Sequence, residues 1–285
     1  PMPVDAILMG SRVLVTAESA TGEGSKDLLL GANGCPAEDW EITMRKGQDA
    51  GGVTTVNSEL GEPIHVVKNR CSDLWREYDA KYFNLPPKEM AEALTRDKDE
   101  VIKRLNADFQ KPWFGLSRGQ PCDLGEMTYF DVCSRILQLM FPKPRGSWID
   151  VSYKVRLQEM LVRTQERFAE SGSPIEDLVD EKELEKDPND AVERVFNKYP
   201  RGRSERLLIE DQDYFVNSVC NRMDRKPVNF ITKIDQMFKR YFKSDSLWFS
   251  EMLDAVVEGD AERTFIIYGP VAARHVQRKD ETLKE

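Results

Sequence analysis

The spacing of apolar residues over most of this chain constrains its fold more than any other feature. From Ser72 onward, apolar residues recur every three or four positions with charged residues between them. This period is typical of helices that bury one face. We therefore expect residues 72–257 to be predominantly helical and to contain no complete α/β barrel. The residues that begin this pattern are Leu74, Trp75, Tyr78, Met90, Leu94, Val101, Ile102 and Leu105.

Local signals divide this long stretch into separate helices. Thr128 and Asp131 have the spacing of a capping box, which predicts a helix through Met140. A periodic segment runs from 148 to 168, and the acidic segment 176–190 is interpreted as a solvated face or loop. Further helices are predicted at 190–198, 204–223, 232–242 and 246–257.

Strand patterns occur near both ends of the sequence. Val4–Met9 is a short apolar run that ends at Gly10, and helical spacing continues from Ser11 to Ala20. This order predicts a strand, a tight turn and a helix start, which together form one βα unit.

Short strands are also predicted at 53–56, 64–67 and 264–268. The charged tail 274–285 follows the last of them. An opening on an apolar strand and an ending just past another favour a segment cut from a longer protein.

Composition excludes several classes of function. The 285 residues carry a net charge of −9 with both signs interspersed, which argues against sequence-independent binding of nucleic acid. No apolar run reaches the ~20 residues that span a bilayer, and no signal peptide is recognisable, so we expect no membrane association and a cytoplasmic protein. The cysteines have no zinc-binding spacing and are interpreted as reduced thiols. They are Cys35, Cys71, Cys122, Cys133 and Cys220.

Five ordered segments resemble the β subunit of fungal fatty acid synthase, in the region that ends its enoyl reductase barrel. They are DAILMGSRVLV (5–15), GGVTTVNSELGEPIH (51–65), NADFQKPWFG (106–115), KSDSLW (243–248) and GPVAA (269–273). The second segment is nearly family-specific, and the five together span almost the whole chain.

The resemblance implies an α+β, mostly helical fold. Residues 1–70 would be the closing part of an FMN-binding TIM barrel with its last βα unit and short strands. Residues 71–262 would be a helical extension, and residues 263–285 a terminal strand and linker. The parent enzyme would use NADPH and FMN to reduce trans-2-enoyl thioesters carried on acyl carrier protein. Its partners would be the other domains of the β subunit and the synthase α subunit.

Gly10 and Ser11 are the candidate cofactor-binding residues. A helix start presents unpaired backbone N–H groups to a phosphate, and TIM barrels often bind phosphate after their last strands. By themselves these residues are better explained by a tight turn and a helix cap, but the resemblance reverses that preference and favours the FMN phosphate. One departure is Ala17, where related synthases tend to carry a lysine.

No catalytic residue is assigned within this chain. The family's proton-donating histidine belongs to a Gly-Gly-His-His segment upstream of the closing strand, and this sequence contains no such segment. Of the two histidines present, His65 is interpreted as a packed or hydrogen-bonded structural residue and His275 as exposed.

Other candidate residues give weaker signals. Glu59 and Glu62 form a possible carboxylate pair, as in glycoside hydrolysis, although Glu62 before Pro63 is more typical of a turn. Packing is the preferred role of the tryptophans at 75, 113, 148 and 248. Cations that could contact an NADPH phosphate are Lys143, Arg145 and Lys154, which nothing distinguishes from ordinary surface residues.

Two rival interpretations remain to be weighed. The first is a structural module whose helices hold neighbouring synthase domains and which has no activity of its own. The second, a complete nitronate monooxygenase, does not agree with the missing barrel strands and the helical extension.

Overall fold

A computed structural model describes residues 11–40, 49–57, 63–109, 115–117, 120–143, 146–149, 151–172, 178–215 and 260–283. The chain divides into two compact units. The first unit comprises Pro1–Asn84, Asp108–Gln110 and Ser246–Glu285, and the second comprises Leu85–Ala107 and Lys111–Asp245. The described residues are mostly helical with two small hairpins, so the predicted helix-rich α+β class is confirmed. The TIM barrel stays a prediction.

The elements follow in chain order. The strands are β1 (Val53–Asn57), β2 (Pro63–Val67), β3 (Gly115–Ser117) and β4 (Gln120–Cys122). The α-helices are α1 (Glu23–Gly31), α2 (Arg70–Tyr78), α3 (Pro87–Arg96), α4 (Lys98–Asp108), α5 (Tyr129–Met140), α6 (Ser152–Phe168), α7 (Glu181–Lys186), α8 (Pro188–Lys198), α9 (Ile209–Tyr214) and α10 (Pro270–Ala273). Short 3-10 helices lie at Ser11–Val15, Leu124–Glu126, Pro200–Arg203 and Ala261–Arg263, and a π-helical turn at Asp79–Phe83 follows α2.

In the first unit, the two predicted short strands form an antiparallel hairpin. Val53 pairs with Val67 at one end and Asn57 with Pro63 at the other. An extended segment from the far end of the chain runs along β2, where the N–H of Val67 donates to Ile266 (2.9 Å). The strand predicted at 264–268 is therefore present as a single antiparallel bridge, between Val66 and Ile267.

The core of the first unit joins residues that are distant in the sequence. Its buried members are Val15, Leu29, Ala32, Val53, Val67, Ile266, Tyr268 and Ala273. A close approach of backbones supports this core. Gly34, at φ +63°, donates its N–H to Gly51 (2.8 Å), and a Cβ at Gly34 would lie 2.1 Å from the carbonyl oxygen of Pro270. Only glycine accommodates both the positive φ and this contact.

In the second unit, α5 packs against α6 and α8. The predicted capping box is confirmed: Thr128 accepts from the N–H of Asp131, and Asp131 accepts from the N–H of Thr128. The predicted helix at 190–198 is confirmed within α8. The β3–β4 hairpin was not predicted, because strands of three residues are too short to show an alternating pattern.

The acidic segment 176–190 is in part helical. Asp180 caps α7 by accepting from the N–H of Lys182. Leu184 is fully buried, and its carbonyl accepts from the indole N–H of Trp148 (2.8 Å). The interpretation as a solvated face holds for the charged residues around Leu184 but not for Leu184 itself. One buried apolar residue per turn is enough to fix a short helix to its neighbours.

Two other helices are shorter than predicted. The helix expected over 11–20 is a 3-10 helix that ends at Val15, because the N–H of Ala17 donates to Glu281 (3.0 Å) rather than along a helix. The helix expected from 204 begins at Ile209. The predicted strand at 4–9 and the helices at 232–242 and 246–257 lie outside the described residues.

Candidate functional site

The candidate phosphate site lies at the start of the N-terminal 3-10 helix, Ser11–Val15. Ser11 is the first residue of this helix, as the sequence predicted, and Gly10 lies outside the described residues. The helix packs against α1 and α10, and Val15 belongs to the buried core. The first backbone N–H groups of such a helix have no partner within it, which is the property that a phosphate site requires.

Arg12 is the positive charge next to Ser11 in the sequence. Its Nη2 lies 2.5 Å from Oε2 of Glu281, and its side chain is 39% exposed. No sequence pattern indicated a role for Arg12, and Glu281 belongs to the charged tail 274–285. The structure pairs the two residues across 269 positions of sequence.

Tyr268 carries a buried hydroxyl and belongs to the same hydrophobic core as Val15. The residue is fully buried, and its hydroxyl oxygen has no hydrogen-bond partner. Burial raises the pKa of the phenol to about 12, although the positive charge of Arg12 acts in the opposite direction. A buried polar atom without a partner is uncommon in proteins and often marks the place of an unseen ligand or water. No pattern in the sequence indicated it.

His65 is a structural residue of the first hairpin. Its Nδ1 lies 3.1 Å from Oγ1 of Thr55, across the strand pair. The ring of Trp40 meets the imidazole edge to face, with 5.6 Å between ring centroids. Burial lowers the pKa of the imidazole, which favours its neutral form. The predicted packed and hydrogen-bonded role is confirmed, and His275 is exposed as predicted.

The other described candidates have environments of their own. Lys154 forms an ion pair with Glu185 (2.8 Å), and Lys143 is exposed. Trp75 and Trp148 are buried, as predicted. Arg145, Glu59, Glu62, Trp113, Trp248 and Cys220 lie outside the described residues.

In the described ranges, no group of three or more His, Cys, Asp or Glu side chains is placed to hold a metal ion. No helix in the same ranges is long and apolar enough to cross a membrane. Cys35, Cys71, Cys122 and Cys133 are buried.

A cavity of about 360 Å³ lies between α5 and α8 in the second unit. Its apolar walls include Phe130, Leu137, Phe141 and Val192, and Lys143 lies at its edge. Among the candidate residues that the structure describes, Lys143 lines it.

Comparisons with known proteins agree with the resemblance that the five segments indicated. The family model for "fatty acid synthase subunit beta/Fas1-like, helical" matches residues 1–285. The chain is 43% identical over 284 residues to the fatty acid synthase subunit beta of Saccharomyces cerevisiae. It is 42% identical over 285 residues to the fatty acid synthase beta subunit pigK of Monascus ruber. In each case all of this chain is covered, but it spans 14% of the relative's length.

Proposed function

The chain belongs to the helical Fas1-like family of fatty acid synthase β subunits, and from that premise we propose that it works as one segment of a multifunctional fatty acid synthase. The observation that carries the proposal is the family match over all 285 residues. The relatives are about seven times longer than this chain, as the 14% coverage implies. The segment would therefore act together with the other domains of the β subunit, the α subunit and acyl carrier protein.

Within the synthase, we assign the segment to the enoyl reductase domain. FMN, when bound, supplies the hydride that reduces the trans-2-enoyl thioester on acyl carrier protein, and NADPH restores the reduced flavin. This chain would contribute contacts at the phosphate end of FMN through Gly10 and Ser11. The acid that protonates the substrate would come from the part of the barrel that the family carries upstream.

Features of the described residues support this proposal. The 3-10 helix begins at Ser11 with backbone N–H groups that have no partner within the helix, and the guanidinium of Arg12, which pairs with Glu281, belongs to the next residue. The Tyr268 hydroxyl is a hydrogen-bond donor that lacks an acceptor. A dianion would be stabilised by such donors and by the nearby cation.

The assignment is tested in the full-length β subunit with the substitution Ser11→Glu. A carboxylate at this position would repel and displace a phosphate, so we expect loss of most of the bound flavin and of enoyl reduction. Ala20→Glu is the matched control, because it adds the same charge at an exposed position nearby. Flavin absorbance and NADPH-dependent reduction of crotonyl thioester are measured for both. Normal flavin content in the Ser11 variant would remove the cofactor assignment.

The substitution His65→Ala in the same protein tests whether His65 is structural rather than catalytic. Because His65 contacts Thr55 and Trp40, we expect reduced stability of the hairpin but nearly normal turnover per bound flavin. A loss of several orders of magnitude in turnover would show that His65 is catalytic.

A second candidate function is that of a scaffold for neighbouring synthase domains. Large apolar side chains on the second unit are exposed, which favours contact with other protein surfaces. They are Val151, Val155, Leu208 and Ile209. Both candidates predict that the 285-residue chain alone lacks flavin absorbance, because a phosphate contact buries too little of FMN. The full-length Ser11→Glu variant separates them, since a scaffold role predicts unchanged flavin content.

A further inference from the structure

The cavity between α5 and α8, here named the α5–α8 cavity, is long and narrow. Along α5 its described lining residues run from Phe130 to Phe141, and the opposite wall comes from the first two turns of α8. A helix rises 1.5 Å per residue, so this stretch of α5 is about 16 Å long. With a volume of about 360 Å³, the mean cross-section is about 22 Å² over that length.

The walls of the cavity are mainly apolar. Leu137, Phe141 and Val192 line it and are otherwise buried. At one end the ring of Phe130 meets the ring of Phe196 edge to face, with 5.2 Å between centroids. Such walls accept no hydrogen bonds, so a molecule that fills the cavity must be apolar over most of its length.

The two ends of the cavity differ in charge. At the Phe130 end, Arg203 lies over the aromatic ring (4.1 Å to its centroid) and donates to the carboxylate of Glu193 (2.6 Å), which compensates the charge of Glu193. At the other end, Lys143 follows α5 and is exposed. Within the described part of the chain, no carboxylate pairs with Lys143. The apolar cavity therefore has one uncompensated positive charge at one end.

Amide donors lie at the same end as Lys143. Gln138 lines the cavity from the last turn of α5, and Asn189 lines it from the first turn of α8. The amide oxygen of Gln138 accepts from Arg135 (2.5 Å), which leaves its NH2 group to donate. Both amides can thus donate to an anion that contacts Lys143.

The width of the cavity selects among possible occupants. An α-helix with its side chains is about 10 Å across, roughly twice the width available. An extended peptide would bury backbone N–H and C=O groups against apolar walls, where they would lack partners. An unbranched alkyl chain has no such groups, and a negative charge at its end would meet Lys143.

We propose that the α5–α8 cavity binds an unbranched aliphatic monoanion, such as a free medium-chain fatty acid. The alkyl chain lies along α5 between Phe130 and Phe141, and the headgroup contacts Lys143 and the amide of Asn189. This inference is independent of the flavin assignment, because it uses no residue of the first unit.

Binding of decanoate to the 285-residue chain tests the proposal. Calorimetry gives the affinity, and the methyl NMR signals of Leu137 and Val192 locate the ligand, all below the concentration at which decanoate forms micelles. We expect decanoate to bind about fivefold more tightly than decanol, because only decanoate pairs with Lys143. It should bind about fifteenfold more tightly than octanoate, since two more methylenes are buried. Unshifted methyl signals, or equal affinity for decanoate and decanol, would overturn the proposal.

Two pairs of variants test the headgroup and the chain separately. Lys143→Glu should weaken decanoate binding about twentyfold, because repulsion replaces attraction, and should strengthen the binding of decylammonium. Lys182→Glu is the control, at an exposed position of α7 outside the cavity, and should change neither. Ser134→Phe fills the cavity from α5 and should abolish binding, whereas Ser134→Ala leaves the cavity open. Decanoate binding that survives both Lys143→Glu and Ser134→Phe would contradict the site.

The full-length β subunit distinguishes a free ligand from a neighbouring protein domain as the occupant. If the cavity is a ligand site, decanoate should bind to the full-length β subunit as tightly as to the 285-residue chain, and Lys143→Glu should weaken both to the same extent. If only the 285-residue chain binds decanoate, another protein surface fills the cavity in the synthase and the proposal is wrong.

Discussion

The two units join distant parts of the sequence in different ways. In the first unit, Gly34 approaches Gly51 and Pro270 backbone to backbone, and the ion pairs of residues 279–281 each have at least one partly exposed partner. In the second unit, Asp211 is fully buried, alone among the carboxylates that the structure describes there. It accepts from Arg163 (2.6 Å), from Arg167 (2.7 Å) and from the hydroxyl of Tyr129 (2.5 Å).

The comparison shows that burial determines how much one charged side chain contributes to the free energy of unfolding. Surface ion pairs are weakened by water and salt and usually contribute little one at a time. A buried carboxylate with several charge-assisted donors contributes more, and its loss leaves those donors without an acceptor. Where two backbones touch, there is no room for a side chain. Even the added Cβ of an alanine should therefore lower the stability strongly at such a position.

Gly34→Ala should have the largest effect of the substitutions considered. The added Cβ would meet the Pro270 carbonyl at 2.1 Å, at φ +63°. Strain and overpacking together should lower the free energy of unfolding of the first unit by about 4 kcal/mol. Gly146→Ala is the control, because Gly146 has φ +61° but no atom within 4 Å of its Cβ position. Gly146→Ala should lower the free energy of unfolding by about 1 kcal/mol. Urea denaturation measures the stability of both variants, and equal losses would show that the positive φ alone determines the effect.

Asp211→Ala should rank next, with a loss of about 3 kcal/mol in the second unit. The substitution removes the shared acceptor of Tyr129, Arg163 and Arg167. Glu210→Ala, at the preceding exposed position of α9, should change stability by less than about 0.5 kcal/mol. Hydrogen exchange of α5 and α6 amides locates the effect. A loss as small as that of Glu210→Ala would contradict the role of the buried carboxylate.

Acid should remove the stabilisation that the Asp211 carboxylate supplies. Burial tends to raise the pKa of Asp211, but hydrogen bonds from Arg167, Tyr129 and Arg163 outweigh it and lower the pKa below its usual value. The stabilisation is therefore complete above the ordinary aspartate pKa of about 4 and disappears as pH falls through the lower value of the folded protein. The stability difference between the native chain and Asp211→Asn should be constant from pH 5 to 7 and shrink below pH 4. Denaturation at stepped pH values checks this, and shrinkage already at pH 6 would contradict it.

Substitutions at two helix-capping residues, one in each unit, should have the smallest effects on stability. Thr128 caps α5 by accepting from the N–H of Asp131 (3.1 Å), and Thr128→Ala should cost about 1 kcal/mol. Asn69 caps α2 and also donates to the carbonyl of Thr264 (2.7 Å). Asn69→Ala should therefore cost about 2 kcal/mol. Thermal unfolding of both variants measures the difference, and equal losses would show that the bond to Thr264 adds nothing.

Local features of the sequence predicted local features of the structure. The capping box at Thr128, the two strands predicted at 53–56 and 64–67 and the helix ending at Lys198 were all found close to their predicted places, whereas the pairing of the two strands was not predicted. Of the candidate residues, Ser11 begins a helix and His65 is packed and hydrogen-bonded, as predicted. The cations Arg12 and Lys26 were missed because their carboxylate partners lie more than 250 positions away.

By itself, the sequence determined the helical class, the two short strands at 53–56 and 64–67 and the family of this protein, because apolar period, caps and family-specific segments depend on residues that are close to one another in the chain. Only the tertiary structure decided that the two strands pair, that Glu281 of the charged tail contacts Arg12, that Gly34 meets Pro270, and that Asp211 is buried. The identity of a charged residue in the sequence does not indicate whether water or a distant partner surrounds its side chain. Its environment is determined by which chain segments pack together, and the free energy of that packing is a property of the whole fold.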